Sequence, residues 1–383
     1  MSIYLDNAAT SYPKPKEVAE EVYNYISNIG CNTSRSTFSS ADIVDEVIFD
    51  TREEIADLFN FNNSSNVIFT KNVTESLNTV ILGLIEDGDH VIVTPFEHNS
   101  VMRTLNNIKN SINIEFDRID YVDNNIDINS INKLIKKNTK LIIATHASNV
   151  SGSIIPIKEI GKIARERNII FVVDVAQTAG IIDINMQELF IDALCFTGHK
   201  GLMGPQGIGG FIINDKVAKL LRPLITGGTG SFSDTEFTPD ILPDRFEAGT
   251  PNIPGIFGLR AGIKYIKNVG IRKIYDHEMK LTKVFLDEIS KEKRVKIIGE
   301  NSIKNRLGVI SLDFINMDNA VIAYRLSNEY DIANRCGMHC SPNSHKVLGT
   351  FPQGTVRISF GYFNTLDDVD RCIVAIKNII ESY

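Results

Sequence analysis

A chain of 383 residues is long enough for one large domain and a smaller one. Its 43% hydrophobic and 23% charged residues are ordinary for a globular protein. A net charge of −7 argues against nucleic acid as the main partner, and no apolar stretch approaches the ~20 residues of a membrane helix.

The first residues lack a basic stretch followed by an apolar core, so a secretory signal is not expected. The five cysteines (Cys31, Cys195, Cys336, Cys340 and Cys372) are odd in number and scattered, which fits a reducing, cytoplasmic setting. Cys336 and Cys340 are four apart with no second pair, so no metal site is expected.

Pro15 to Ile29 reads as a helix, with Val18, Val22, Ile26 and Ile29 on one face and Gly30 just past its end. Ala41 to Phe59 reads as a second. Apolar runs at Val67–Phe69, Val91–Val93, Leu141–Ala144, Ile169–Val173, Leu194–Phe196 and Gly210–Ile213 read as core strands. Helices fit between most of them, as at Ile157 to Arg167. Gly227 to Pro254, rich in Gly, Pro, Ser and Thr, reads as an exposed excursion.

A helix-rich stretch from Ile256 to about Ser290 leads into a second unit. That unit holds Val295–Ile298, Leu307–Phe314, a helix near Ala320–Asn328, and Val356–Phe360. A last helix opens at Thr365-Leu366-Asp367-Asp368, a capping box with Asp in place of Glu. The alternation predicts an α/β fold with a largely parallel sheet. The expected organisation is a large domain over 15–255 and a small α+β domain over 256–383, joined by 1–14.

Two stretches carry the chemistry: Asp174-Val175-Ala176-Gln177 and Thr197-Gly198-His199-Lys200-Gly201. The first closes the apolar run Ile169–Val173, which suits a strand buried on both faces. Its carboxylate then emerges at the strand's carboxyl end, where open α/β sheets bind ligands. The second follows another short apolar run and delivers a lysine among glycines. Pyridoxal phosphate needs a lysine amine for covalent attachment and an acid partner for its pyridine nitrogen. The glycines of Gly201–Gly207 do not make a nucleotide loop: Lys200 precedes them, and no Lys-Ser/Thr pair follows.

With these residues the chain resembles the class V aminotransferase branch of fold type I pyridoxal phosphate enzymes. Within that branch it is most similar to the cysteine desulfurases and selenocysteine lyases. The likeness runs from Tyr4-Leu5-Asp6-Asn7-Ala8-Ala9-Thr10 to Arg357-Ile358-Ser359. It implies a mostly parallel seven-stranded sheet flanked by helices.

The resemblance also implies roles. Lys200 would carry the cofactor and Asp174 would pair with its ring nitrogen. Gln177 and Asn149 would reach its phenolic oxygen. Val73 and Thr74, in Lys71-Asn72-Val73-Thr74-Glu75 at a strand-to-helix turn, would meet the phosphate with Thr197 and His199. Thr250 matches a contact to the neighbouring subunit's phosphate, which implies a homodimer. His98 would stack on the ring and move protons. Arg357, with Asn149 and Arg335 nearby, would hold the substrate carboxylate.

Arg335-Cys336-Gly337-Met338-His339-Cys340 decides the expected reaction. The desulfurase pattern places a reactive cysteine after an Arg-x-Gly-x-His run, and Cys340 falls on it. Two departures stand out: Met338 where many relatives have histidine, and Ser34-Arg35-Ser36 in place of His-Arg-Gly. The expected function is a cysteine desulfurase that converts L-cysteine to L-alanine and leaves sulfur on Cys340 as a persulfide. An acceptor protein or small thiol would then take that sulfur. The alternative is a selenocysteine lyase acting on L-selenocysteine, or another class V enzyme that does not use Cys340. A non-catalytic sulfur-transfer partner is the remaining reading.

Overall fold

Among the described residues of the computed structural model, the central sheet has seven strands. Their order is Val67–Thr70, Gly209–Ile213, Ala193–Thr197, Ile170–Asp174, Thr139–Thr145, His90–Val93 and Glu115–Arg118. The structure describes residues 2–33, 39–122, 125–232 and 234–383, so Ser34-Arg35-Ser36 lies outside the described residues. Gly209–Ile213 runs antiparallel to both neighbours, and the remaining pairings in the sheet are parallel.

The apolar runs explain the central strands. Every residue of Ile170–Asp174, Ala193–Thr197 and Gly209–Ile213 is buried, as strands covered on both faces require. Glu115–Arg118 differs. It alternates charged side chains with Phe116, sits at the sheet edge and keeps exposed ends, so it shows no apolar run. One face of the sheet packs Phe171 and Phe196 against Ile256, Leu259 and Ile263. The other packs Val91, Val172 and Phe211 against Leu77 and Val80.

The first helix is shorter than its apolar spacing predicts. It is α-helical over Lys16–Asn24 and continues as a wider turn over Tyr25–Ile29. Gly30 ends it at φ 60°, a left-handed conformation that glycine adopts without penalty. The helix-rich stretch is two helices, Ile253–Val269 and Ile271–Ile289, divided at Gly270.

The last third builds an antiparallel sheet in the order Val295–Ile298, Val309–Phe314, Thr355–Ser359, Arg335–Gly337. Its core includes Leu312, Ile358 and Cys372, together with Ile3 and Leu5 from the start of the chain. The short strand Ile3–Tyr4 pairs with Ile332–Ala333, which brings the N-terminus to this sheet. The final helix, Leu366–Glu381, opens with the capping box: Asp368 N–H donates to Thr365 Oγ1 at 3.2 Å, and Thr365 N–H donates to Asp368 Oδ2 at 2.9 Å.

The carboxyl ends of the parallel strands open toward this second sheet. Arg357 spans the gap, donating from Nη1 to the Asn149 carbonyl at 3.1 Å.

Candidate active site

Asp174 is the last residue of its strand and is buried. Its Oδ1 accepts from the Ala176 amide at 2.9 Å. Burial raises its carboxyl above the usual carboxylate range, and nearby Lys200 opposes that rise. Lys200 follows the neighbouring strand Ala193–Thr197 by three residues. Burial pulls its amine down to about 8; Asp174 resists this, while Arg357 and Arg335 add to it. A lysine so placed has an accessible neutral form, as an amine nucleophile needs.

Pyridoxal phosphate fits the unspent donors around this pair. Thr197 Oγ1 and His199 Nδ1 are buried with no hydrogen-bond partner among the described residues. Such groups cost stability unless a ligand satisfies them. The helix Val73–Leu84 begins nearby. Its cap, Asn72, accepts from the Glu75 amide at 3.0 Å, and the first-turn amides of Val73 and Thr74 remain free of intrahelical acceptors. That leaves an N-terminus suited to a phosphate dianion. Gly209 permits the close approach: a Cβ there would meet Asn72 Cα at 2.9 Å.

His98 caps the helix Asn99–Ile108. Its Nδ1 accepts from the Ser100 amide at 3.0 Å, which leaves Nε2 to carry the proton. Burial, then Lys200 and Arg103, lower its pKa to about 4, so the imidazole is neutral near pH 7. Gln177 Nε2 donates to the Ala8 carbonyl at 3.1 Å. Asn149 Nδ2 donates to the His339 carbonyl at 2.6 Å, so one of its donors is committed to the Cys340 loop.

Arg357 is buried at 2% exposure and pairs with Asp6 at 2.7 Å. Its Nε is buried without a hydrogen-bond partner among the described residues. Arg335, exposed on the adjacent strand, stands in register with it.

The loop carrying Cys340 is shaped by its backbone. His339 and Cys340 both take left-handed conformations, at φ 47° and 59°. Each costs roughly 1–2 kcal/mol in a residue with a Cβ. Four hydrogen bonds hold them there. The Asn99 amide donates to the Cys340 carbonyl at 2.8 Å, and Asn149 Nδ2 holds that of His339. Ser341 N–H donates to Met338 O at 2.9 Å, and Ser341 Oγ donates to Glu97 O at 3.0 Å.

The outcome is an exposed Cys340 on a loop pinned to the His98 segment. His339 itself is buried, shares a 3.0 Å hydrogen bond with Thr355 Oγ1, and is held far below the usual histidine range by burial and by Arg357. It therefore brings no positive charge to Cys340. Cys336 packs against the core of the smaller sheet and faces away from this chemistry.

Thr250 borders the turn that carries Val73 and Thr74. It is exposed and shares a cavity with Lys71, Glu75 and Phe246. Three residues without an assigned role in the sequence belong to the site's support. Glu97 Oε1 accepts from Thr94 Oγ1 at 2.6 Å and from the Thr145 amide at 2.7 Å, tying together the ends of two strands. Burial pushes its carboxyl up to about 8. Asp6 braces Arg357, and Lys14 reaches the peptide before Lys200. A carboxylate or lysine in a loop reads as solvated surface in sequence, so only long-range contacts identify these three.

Comparison with known proteins gives the family. The family model for aminotransferase class-V matches residues 3–372. The chain belongs to that family. A probable cysteine desulfurase of Pyrococcus abyssi is 36% identical over 388 residues, covering 99% of this chain and 94% of that protein. A cysteine desulfurase of Haloferax volcanii is 31% identical, covering 98% and 88%. The apo structure of the cysteine desulfurase from Thermococcus onnurineus NA1 superposes with a TM-score of 0.93 at 34% identity, covering 100% of this chain and 95% of that one. The Escherichia coli cysteine desulfurase CsdA, solved as an S-sulfonic acid, gives 0.89 at 27% identity, again covering 100% and 95%. The fold expected from the sequence, a fold type I pyridoxal phosphate enzyme, is the fold of these relatives.

Proposed function

We propose that this chain is a pyridoxal phosphate-dependent cysteine desulfurase, with Cys340 as the sulfur nucleophile. The observation that carries the reading is the convergence of Lys200, Asp174 and Arg357 with an exposed Cys340 on the pinned loop. Family membership and the desulfurase relatives support it.

Bound pyridoxal phosphate supplies an electron sink for the substrate α-carbon. Asp174 would hold a proton at the ring nitrogen, Gln177 and Asn149 would reach the phenolic oxygen, and Val73, Thr74, Thr197 and His199 would hold the phosphate. Arg357 grips the substrate carboxylate, with Arg335 at the rim. Lys200, as a neutral amine, would move the α-proton, with His98, neutral at pH 7, beside it. The Cys340 thiolate attacks the sulfur of L-cysteine. A sulfur–sulfur bond forms, the carbon–sulfur bond breaks, and its electron pair stays on the substrate carbon, which takes up a proton. The products are L-alanine and a persulfide on Cys340, which an acceptor protein or small thiol then discharges.

Thr250 in this reading reaches the phosphate of a second subunit, so the expected assembly is a homodimer. L-selenocysteine is a further substrate of the same geometry. Residues 1–14 work with 256–383, since Ile3 and Leu5 pack in that core. No described helix is long and apolar enough to cross a membrane, and five free cysteines support a reducing cytoplasm.

The test is incubation with L-cysteine, pyridoxal phosphate and a reductant, measuring alanine and sulfide together. Equal amounts support the reading; a keto acid in place of alanine contradicts it and favours an aminotransferase.

A further inference from the structure

The carbonyl of His199, in the peptide that enters Lys200, collects four donors from the N-terminal segment. They are Ser11 N–H at 3.0 Å, Thr10 Oγ1 at 3.0 Å, Lys14 Nζ at 3.2 Å and Ser11 Oγ at 3.3 Å. A carbonyl oxygen offers two lone pairs, so this crowding is more than the backbone needs. Lys14 is the unusual member. Its side chain is half-buried, and it forms no ion pair among the described residues. Burial alone lowers its amine to about 8. Its second contact is Ser11 Oγ at 2.9 Å, which aims the ammonium at the same carbonyl. A desolvated cation without a carboxylate is costly, and its position must be supported by the strap that holds it.

The same segment is one connected strap. Asp6 binds Arg357, Gln177 binds Ala8, and Thr10, Ser11 and Lys14 bind the His199 carbonyl. The charged groups around Lys14 are His199, whose imidazole it helps keep neutral, and Lys200 beyond it.

We propose that Lys14 is a positioning residue for Lys200, acting through a charge-assisted hydrogen bond to the His199 carbonyl. The inference rests on the reading of Lys200 as the residue that carries the cofactor. By fixing the plane of the peptide before Lys200, Lys14 sets the direction in which the amine leaves the main chain. Hydrogen bonds to charged groups are the strong ones, so losing this one should slow steps that need Lys200 aligned by about ten- to a hundredfold.

The experiment uses the full chain as Lys14→Met and Lys14→Arg, freed of cofactor. Two readouts follow: the rate of borohydride-trappable pyridoxal phosphate uptake, located by peptide mass, and kcat and KM for L-cysteine. Slower uptake and lower kcat in Lys14→Met, with unchanged KM and melting temperature, support the proposal if Lys14→Arg restores both. Parent-like uptake and kcat in Lys14→Met overturn it. A drop in melting temperature with kcat unchanged also overturns it, since Lys14 would then be only a brace. If Lys14→Met does not fold, Lys14→Gln is read by the same criteria. Trapping on a lysine other than Lys200 overturns the parent reading, and it is recognised by the labelled peptide.

Discussion

Arg335 and Arg357 stand directly opposite one another on neighbouring antiparallel strands. Residues in register share a face of the sheet, so two guanidinium groups lie side by side. Like charges so placed are unfavourable unless an anion joins them. Asp6 meets only part of that need. It pairs with Arg357 Nη2 and leaves Nε buried without a partner among the described residues. A substrate carboxylate is the complement this arrangement lacks.

Arg357→Lys should therefore lower kcat/KM for L-cysteine by about ten- to a hundredfold, because an ammonium cannot reproduce the planar fork. Arg335→Ala should cost less, since that side chain is exposed and its charge is screened. Steady-state kinetics on the two variants check the order. Equal losses would contradict the unequal burial of the two arginines.

The Cys340 loop gives a stability prediction separate from activity. Cys340 sits at φ 59°, where a Cβ is strained and glycine is not. Cys340→Gly should exceed Cys340→Ala in unfolding free energy by about 1 kcal/mol, less the extra freedom glycine gains when unfolded. Urea titration of the two proteins measures the difference. Equal midpoints would mean that the loop relaxes out of the left-handed conformation.

Glu278 supplies a pH dependence. It is buried on the helix Ile271–Ile289, and burial alone raises its carboxyl from near 4.5 to about 8. The folded state therefore keeps a proton that the unfolded chain loses. Stability contributed at low pH is lost as pH rises from about 4.5 to about 8. Glu278→Gln removes this dependence, and its advantage over the parent should grow through that window to at most about 3 kcal/mol near pH 7. Melting curves from pH 4 to 9 test the sign. An advantage that shrinks as pH rises would contradict it.

The exposed Thr250 gives a prediction about assembly. The chain should sediment as a dimer, and Thr250→Ala should weaken pyridoxal phosphate retention without disturbing the fold. A fully active monomer in sedimentation equilibrium would remove Thr250 from the site.

Much of this was legible in the sequence because burial writes itself as apolar runs. Ile169–Val173 and Leu194–Phe196 locate the two central strands, and with them Asp174 and Lys200. The edge strand Glu115–Arg118 carries no such run, since its faces are open and its side chains charged. The spacing over Pro15–Ile29 predicts one uniform helix, but the wider turn at Tyr25–Ile29 shifts the buried face from Ile26, which is exposed, to Tyr25. Asp6, Lys14 and Glu97 gave no local signal. Their partners lie 351, 185 and 48 residues away, at Arg357, His199 and Thr145, and sequence spacing does not encode such contacts. The left-handed pair His339–Cys340 was equally hidden, because neither residue type announces a positive φ.

In the proposed reaction, sulfur passes from L-cysteine to Cys340. The most direct measurement is peptide mass mapping after a single turnover with L-cysteine and pyridoxal phosphate, without reductant. The expected result is one added sulfur on the peptide containing Cys340, one alanine per persulfide, and neither product in Cys340→Ala beyond a slow background. Sulfur on the Cys336 side of that peptide, or alanine formed at the parent rate by Cys340→Ala, would contradict it.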